Sequence, residues 1–248
     1  FIVENGDVHL SYTSGTDLYY GNYNTTSNNW TFTNIDGVMD IVNNSPSVFI
    51  HSTDIEVSSD GIHIIYGYSY YNQTISNRST GLRYVTNLAV NNQQIMDSWN
   101  NVLSTGNWLG FDLALTDYGI ATGGSLEISN GIAYIAYTDR NWEDCGRYIS
   151  NIQLSNISST YSISSIKDSC TKAWKIELEM VSNLGGDPDY NKPHFFYMDS
   201  DENMVIQVGV DGSKFEFGYS NNFNTDFDSR LVGNNQHLGF VEYESDML

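Results

Sequence analysis

Apolar and polar residues alternate with a period of two along most of this chain. The clearest stretch runs from Thr53 to Asn87. Ile55 and Val57 alternate with Asp54, Glu56 and Ser58, Asp60-Gly61 supplies a two-residue turn, and Ile62, Ile64 and Tyr66 resume the alternation. Alternation on both sides of an Asp-Gly pair is the signature of a β-hairpin. Leu82, Tyr84 and Thr86 add a third run of the same period. No window holds apolar residues at helical spacing over three turns, and the nearest, Gln94 to Leu103, is short and interrupted by Asn100-Asn101.

The same unit recurs. Tyr20, Tyr84, Tyr148 and Phe217 each sit in a third-strand segment and stand 64, 64 and 69 residues apart. A second strand precedes each of them, at Val8 to Tyr12, Ile62 to Tyr66, Ala133 to Tyr137 and Val205 to Val210. Before that come a first strand and a turn: Ile2 to Glu4 with Asn5-Gly6, Ile55 to Val57 with Asp60-Gly61, and Leu126 to Ile128 with Asn130-Gly131. In the last unit Phe195 to Met198 leads into Asp199 to Asn203. Further strand-like segments fall between units, at Val38 to Val42, Leu109 to Leu115, Trp174 to Met180 and Leu238 to Tyr243. Equal units too small to bury their own faces point to radial repetition of small sheets. The expectation is one all-β domain over 1–248, a β-propeller of about four repeats (1–53, 54–124, 125–194 and 195–248) of about 62 residues each. Its N- and C-terminal strands would meet in one sheet and close the ring. The alternatives are five or more blades, or a fragment of a longer propeller array.

Composition narrows the function. Ten Lys plus Arg against thirty Asp plus Glu give a formal charge of −20, which is the wrong sign for neutralising phosphates and excludes a nucleic-acid role. No run of about 18 apolar residues is present to span a bilayer. The chain opens directly on a strand-like segment, so Phe1 reads as a mature or excised boundary. The repeat places Cys145 before a third strand and Cys170 after a fourth, ends that antiparallel neighbours bring together. A disulfide between them is expected, with two unrelated thiols as the alternative, and it would imply an oxidising setting outside the cell or at its surface. Six Asn-x-Ser/Thr triplets add little, because a chain this rich in Asn, Ser and Thr produces several by chance.

The unit Asp54-Ile55-x-Val57-x-x-Asp60-Gly61-Ile62-His63-Ile64-x-Tyr66, followed by Gly81-Leu82-Arg83-Tyr84-Val85-Thr86-Asn87, resembles the tandem repeat of sialidase-like β-propellers. Unit one resembles it through Gly6 to Tyr12, Leu18 to Tyr20 and Trp30. The resemblance implies a fold more than an activity. The Asp-box of that family is missing. Its catalytic set of three arginines, a tyrosine nucleophile and an aspartate acid/base does not carry over, because Arg83 and Arg147 occupy equivalent repeat positions and so read as structural.

Other catalytic signatures are absent: there is no Gly-x-Ser-x-Gly, His-Glu-x-x-His or phosphate-binding glycine loop. His9 and His63 hold equivalent second-strand places, which suits packing or a local hydrogen bond better than a metal or catalytic role. Asp199, Asp201 and Asn203 space three oxygen ligands two apart as a calcium loop does, although Met204 stands where such a loop needs glycine. Calcium is the cation they would take, and an ordinary acidic turn is the alternative. Tyr68, Tyr70 and Tyr71, in the gap between two strands, and Arg140 with Trp142, in the matching gap of the next unit, are the aromatic loop candidates for stacking on a sugar or anchoring a protein. The expected function is a non-catalytic binding or adhesion module for glycans or a surface protein. The alternatives are a glycoside hydrolase or lyase using a carboxylate pair that sequence cannot single out, and a structural subunit of a surface layer or appendage.

Overall fold

A computed structural model describes residues 1–37, 48–59, 61–72, 77–87, 103–105, 108–116, 122–140, 145–154, 161–167, 176–180, 192–198, 204–209, 214–217, 225–232 and 235–242. They form antiparallel sheets, with each strand hydrogen-bonded to its neighbour in sequence save for one exchange of order. Sheet one is β1 (Ile2–Glu4), β2 (Asp7–Ser14), β3 (Asp17–Asn24) and β4 (Asn29–Gly37). Sheet two is β5 (Val48–Ser58), β6 (Gly61–Asn72), β7 (Asn77–Thr86) and β9 (Trp108–Thr116), with the short β8 (Leu103–Thr105) on its outer edge. Sheet three is β10 (Thr122–Ser129), β11 (Ile132–Arg140), β12 (Cys145–Gln153) and β13 (Tyr161–Lys167). Sheet four is β14 (Ile176–Met180), β15 (Pro193–Met198), β16 (Met204–Val208) and β17 (Lys214–Phe217). The hairpin β18 (Thr225–Val232) and β19 (Asn235–Glu242) follows.

The tight turns form for a chemical reason. Asn5-Gly6 and Asn130-Gly131 both take positive φ, at 51° and 88° and at 52° and 73°. Asn and Gly tolerate that region best, and it matches the twist of the flanking strands.

The sheets stack in chain order. Sheet one packs β1 and β2 against β5, with Ser11 Oγ donating to Thr53 Oγ1 at 2.9 Å. Strand β10 touches both β5 and β14, and β14 touches β18. The Leu126 N–H donates to Asp54 Oδ2 at 2.8 Å, and the Leu178 N–H donates to Ser125 Oγ at 3.1 Å. Two positions further on, Glu127 lies near both Glu56 and Glu179, so residue numbers rise together along β5, β10 and β14 and the first strands run side by side in one direction. Leu18 and Ile35 of sheet one pack with Ile55, Ile64, Tyr66, Tyr68, Val85 and Trp108 of sheet two. Ala136 of sheet three packs with Ile176, Leu178, Phe195 and Tyr197 of sheet four.

Three expectations need correction. The segments Leu109 to Leu115 and Trp174 to Met180 are not equivalent insertions: the first lies in the fourth strand of sheet two and the second opens sheet four. The last unit is thus displaced by one strand, and Phe195 to Met198 is its second strand. Arg147-Tyr148 does not repeat Arg83-Tyr84. Ile65 pairs with Tyr84, but the equivalent Ala136 pairs with Ile149, so Tyr148 is one residue out of register. Finally, β1 pairs with β2 alone and no described C-terminal strand joins it, so the described residues show no closed ring. Residues 38–47, including the proposed strand Val38 to Val42, lie outside the described residues.

Candidate functional site

Strands β5, β10 and β14 alternate apolar and acidic residues, and in β5 and β14 the apolar set faces one neighbouring sheet while the acidic set lies on the opposite side. Ile55 packs toward sheet one, and Asp54 and Glu56 face sheet three. Ile176 and Leu178 pack toward sheet three, leaving Glu177 and Glu179 on the opposite side of β14. Because the first strands run in parallel, these carboxylates form two levels: Asp54, Ser125 and Glu177 in one, and Glu56, Glu127 and Glu179 in the next. Ser125 Oγ lies 3.4 Å from Glu177 Oε2, and both carboxylate oxygens of Asp54 accept main-chain N–H groups, from Ile55 and Leu126.

Burial raises the Glu56 carboxyl far above the usual carboxylate range, with Asp54 and Glu179 adding to the effect. Burial likewise raises Glu127, helped by Glu56 and Glu179. Like charges this close in a partly dry setting cannot all ionise, so burial and repulsion together favour the protonated form of Glu56 and Glu127. A protonated carboxyl is a hydrogen-bond donor, while the Asp54 oxygens accept the Ile55 and Leu126 N–H groups. Among the described residues no group of three or more His, Cys, Asp or Glu side chains is arranged to hold a metal ion. The acid-apolar alternation in Asp54 to Val57, Leu126 to Ile128 and Ile176 to Met180 is the sequence signal of this line.

Tyr68, Tyr70 and Tyr71 are not in a loop: all three lie on β6, which runs six residues beyond the strand end read from the sequence. Tyr68 is fully buried. Its hydroxyl donates to Asp112 Oδ1 at 3.0 Å, its ring stands 6.3 Å from that of Tyr70, and the Arg83 guanidinium lies 5.8 Å from its centroid. Arg83 is itself fully buried and bonds Asp112 Oδ1 through Nε at 3.0 Å. Tyr70 packs at the edge of the same core. Tyr71 points the other way and is 41% exposed, on the face it shares with Phe49, which is 49% exposed and pairs with Ser69.

Arg140 ends β11, paired with Cys145 at the start of β12. Trp142, Asp199, Asp201, Asn203 and Cys170 lie outside the described residues. The ends of β6, β11 and β15 emerge on one rim, because second strands run antiparallel to first strands that share a direction. Tyr71, Arg140 and Met198 therefore mark the same edge of successive sheets, the edge at which the first strands begin.

The two histidines are structural. His63 is fully buried, with the Tyr84 hydroxyl 2.6 Å from Nδ1, Thr86 Oγ1 at 3.2 Å and Ser58 Oγ 3.1 Å from Nε2. Burial pushes its pKa down to about 4, so the ring is neutral. His9 repeats the arrangement with Tyr20 and Asn22 at a partly exposed position.

No protein-family model matches the sequence, and no curated protein matches it either. Among solved structures, the crystal structure of polysaccharide lyase Uly1 is similar in fold, with a TM-score of 0.52 at 9% sequence identity. The match covers 97% of this chain and 53% of that one, so the chain spans about half the length of the structure it resembles.

Proposed function

We propose that this chain is a carbohydrate-binding module built as a propeller-like array, and that it engages a neutral or cationic glycan on the rim where first strands begin and second strands end. The observation that carries the reading is the exposed ring pair Phe49 and Tyr71 on that rim, five residues up β5 from Asp54, or about 17 Å at strand rise. Rings with a polar tip stack on sugar faces, and carboxylates below them supply the acceptors that hydroxyls need. The likeness to a polysaccharide lyase supports a carbohydrate ligand through its fold. The net charge of −20 argues against a polyanionic glycan unless a divalent cation bridges it.

A glycan array tests this. The expected result is retention of neutral or amino sugars without turnover, weakened about tenfold or more by Phe49→Ala or Tyr71→Ala. Retention of none, or binding untouched by both substitutions, rejects the reading. A second reading is a glycoside-active enzyme, favoured by a protonated Glu127 in the same cluster as Asp54. It requires turnover of chromogenic glycosides that Glu127→Gln abolishes. Calcium at Asp199, Asp201 and Asn203 belongs to the same proposal, with a calcium-dependent rise in melting temperature as its check. So does a Cys145–Cys170 bond in an extracellular protein, which a mass measurement before and after reduction reads directly.

A further inference from the structure

Asn-Gly occurs at two places in the chain, Asn5-Gly6 and Asn130-Gly131, and each pair forms the tip of a hairpin with its Asn exposed. An asparagine in this setting is open to a spontaneous reaction, because glycine leaves the next main-chain nitrogen unshielded. That nitrogen gives up its proton to solvent base and attacks Asn Cγ. A cyclic imide forms as the Cγ–Nδ2 bond breaks and ammonia leaves. Water then opens the imide at one carbonyl or the other, giving aspartate or isoaspartate, in which the chain runs through the side-chain carbonyl.

The two sites differ in how firmly they are held. Closing the imide takes the Asn out of the left-handed conformation that both turns impose, so the rate follows how often each turn opens. Among the described residues β1 has three residues, pairs with β2 alone and lies against β5. Strand β10 has eight residues and packs against both β5 and β14. Its turn is also clamped from outside the hairpin, where the Leu154 N–H donates to the Gly131 carbonyl at 2.9 Å.

The products differ as well. Asn5 Nδ2 donates to Glu4 Oε1 at 3.1 Å, and conversion replaces that donor with a second carboxylate facing the first. Glu4 is already among the acids that act on Glu56 of β5, so the new charge adds to the repulsion between β1 and β5. Isoaspartate also lengthens the main chain inside a two-residue turn whose flanks, Glu4 and Asp7, are paired. At the other site Asn130 Nδ2 donates to Ser129 Oγ at 3.2 Å, and a hydroxyl turns to donate to a carboxylate instead.

We propose that Asn5 is a site of spontaneous modification, converted to aspartate and isoaspartate ahead of Asn130, and that its conversion frees β1 from β2 and β5. Incubation of the full chain at neutral pH and physiological temperature, with both turns followed by peptide mass mapping, tests the first half. The same chain unfolded in urea gives the intrinsic rate of each site. The native-to-unfolded rate ratio at Asn5 should exceed that at Asn130 by at least about threefold, the smaller end of what one main-chain hydrogen bond holds closed. Hydrogen exchange tests the second half: in the aged protein the amides of Ile2, Val3 and Glu4 should exchange faster while β6 and β7 stay unchanged. Asn5→Gly keeps the turn and has no side-chain amide, so it should hold its exchange pattern through the same incubation. Equal or reversed rate ratios overturn the site. Unchanged exchange of β1 in aged protein, or an equal loss of protection in Asn5→Gly, overturns the consequence.

Discussion

In sheet one the Tyr20 hydroxyl lies 2.6 Å from Nδ1 of His9 at a partly exposed position, and in sheet two the Tyr84 hydroxyl lies 2.6 Å from Nδ1 of His63 with both rings sealed from solvent. The ring geometry is the same in both copies, with centroids 6.0 Å apart and planes at 25°. A second device also recurs in form. Gly21 leaves room for the Phe32 ring, which is exposed, and Gly81 leaves room for the Tyr68 ring, which is buried and tied to Asp112. What differs is coverage. Among the described residues, sheet two has neighbours on both faces and sheet one has a neighbour on one. The comparison teaches that identical local chemistry carries different weight according to how many sheets enclose it.

The largest effect should come from the ion pair that sheet one lacks. Arg83→Met strands Asp112 beside a buried tyrosine and should cost about 3–5 kcal/mol in urea unfolding. Replacing Asp112 as well, with Leu, should recover part of that loss. If the single change costs under about 1 kcal/mol, the pair is not what anchors Tyr68.

Acidification should separate the histidines next. His63 has a folded pKa of about 4 against an ordinary 6.5, so its contribution is whole above pH 6.5 and is lost as pH falls through about 4. Integrated over that window it amounts to about 3 kcal/mol. His9 is lowered by burial but opposed by Asp7 and Glu4. NMR titration should show the His9 ring protonating at a higher pH than His63, and equal midpoints would remove the distinction. Glu56 and Glu127 act with the opposite sign. Their raised values mean that stability falls as pH rises above the ordinary carboxylate range, so melting temperature should decline toward alkaline pH.

The glycine pair gives a smaller contrast. Gly81→Ala pushes a methyl into the fixed Tyr68 ring and should cost about 1–3 kcal/mol, whereas at Gly21 the Phe32 ring can swing outward and the cost should stay below about 1 kcal/mol. Comparable costs would show that Phe32 is held as firmly as Tyr68. The mildest test is loss of one hydroxyl. Tyr84→Phe should cost about 1–2 kcal/mol and Tyr20→Phe about half of that or less, because water can replace the bond only at the surface.

Much of the architecture could be read from alternation. The β2, β3, β6, β7 and β11 strands announce themselves, and Asn5-Gly6 and Asn130-Gly131 turn as expected. The turn at Asp60-Gly61 is the exception: Ser58 pairs with Gly61, so Gly61 already belongs to β6. The fourth strand of sheet one is hard to see because it faces water over most of its length and carries a weak pattern, as Asn29 to Asn34 show. Tyr68 was misplaced because an aromatic cluster after Gly67 looks like a loop. Yet Tyr66, Tyr68 and Tyr70 keep the period of two, and that signal was sufficient. The acidic line depended on which first strands adjoin, a fact of tertiary order that no local window contains.

Packing between successive sheets, as the described residues show it, also governs how the molecule opens. Each sheet is built mainly of strands adjacent in sequence and touches the sheets beside it, so the fold behaves as a short one-dimensional stack whose stability is the sum of sheet and junction contributions. Unfolding should then begin at an end. Amide protons of β1 to β4, held by one junction, should exchange with solvent before those of β6 and β7, held by two, giving a gradient of protection that runs inward along the stack.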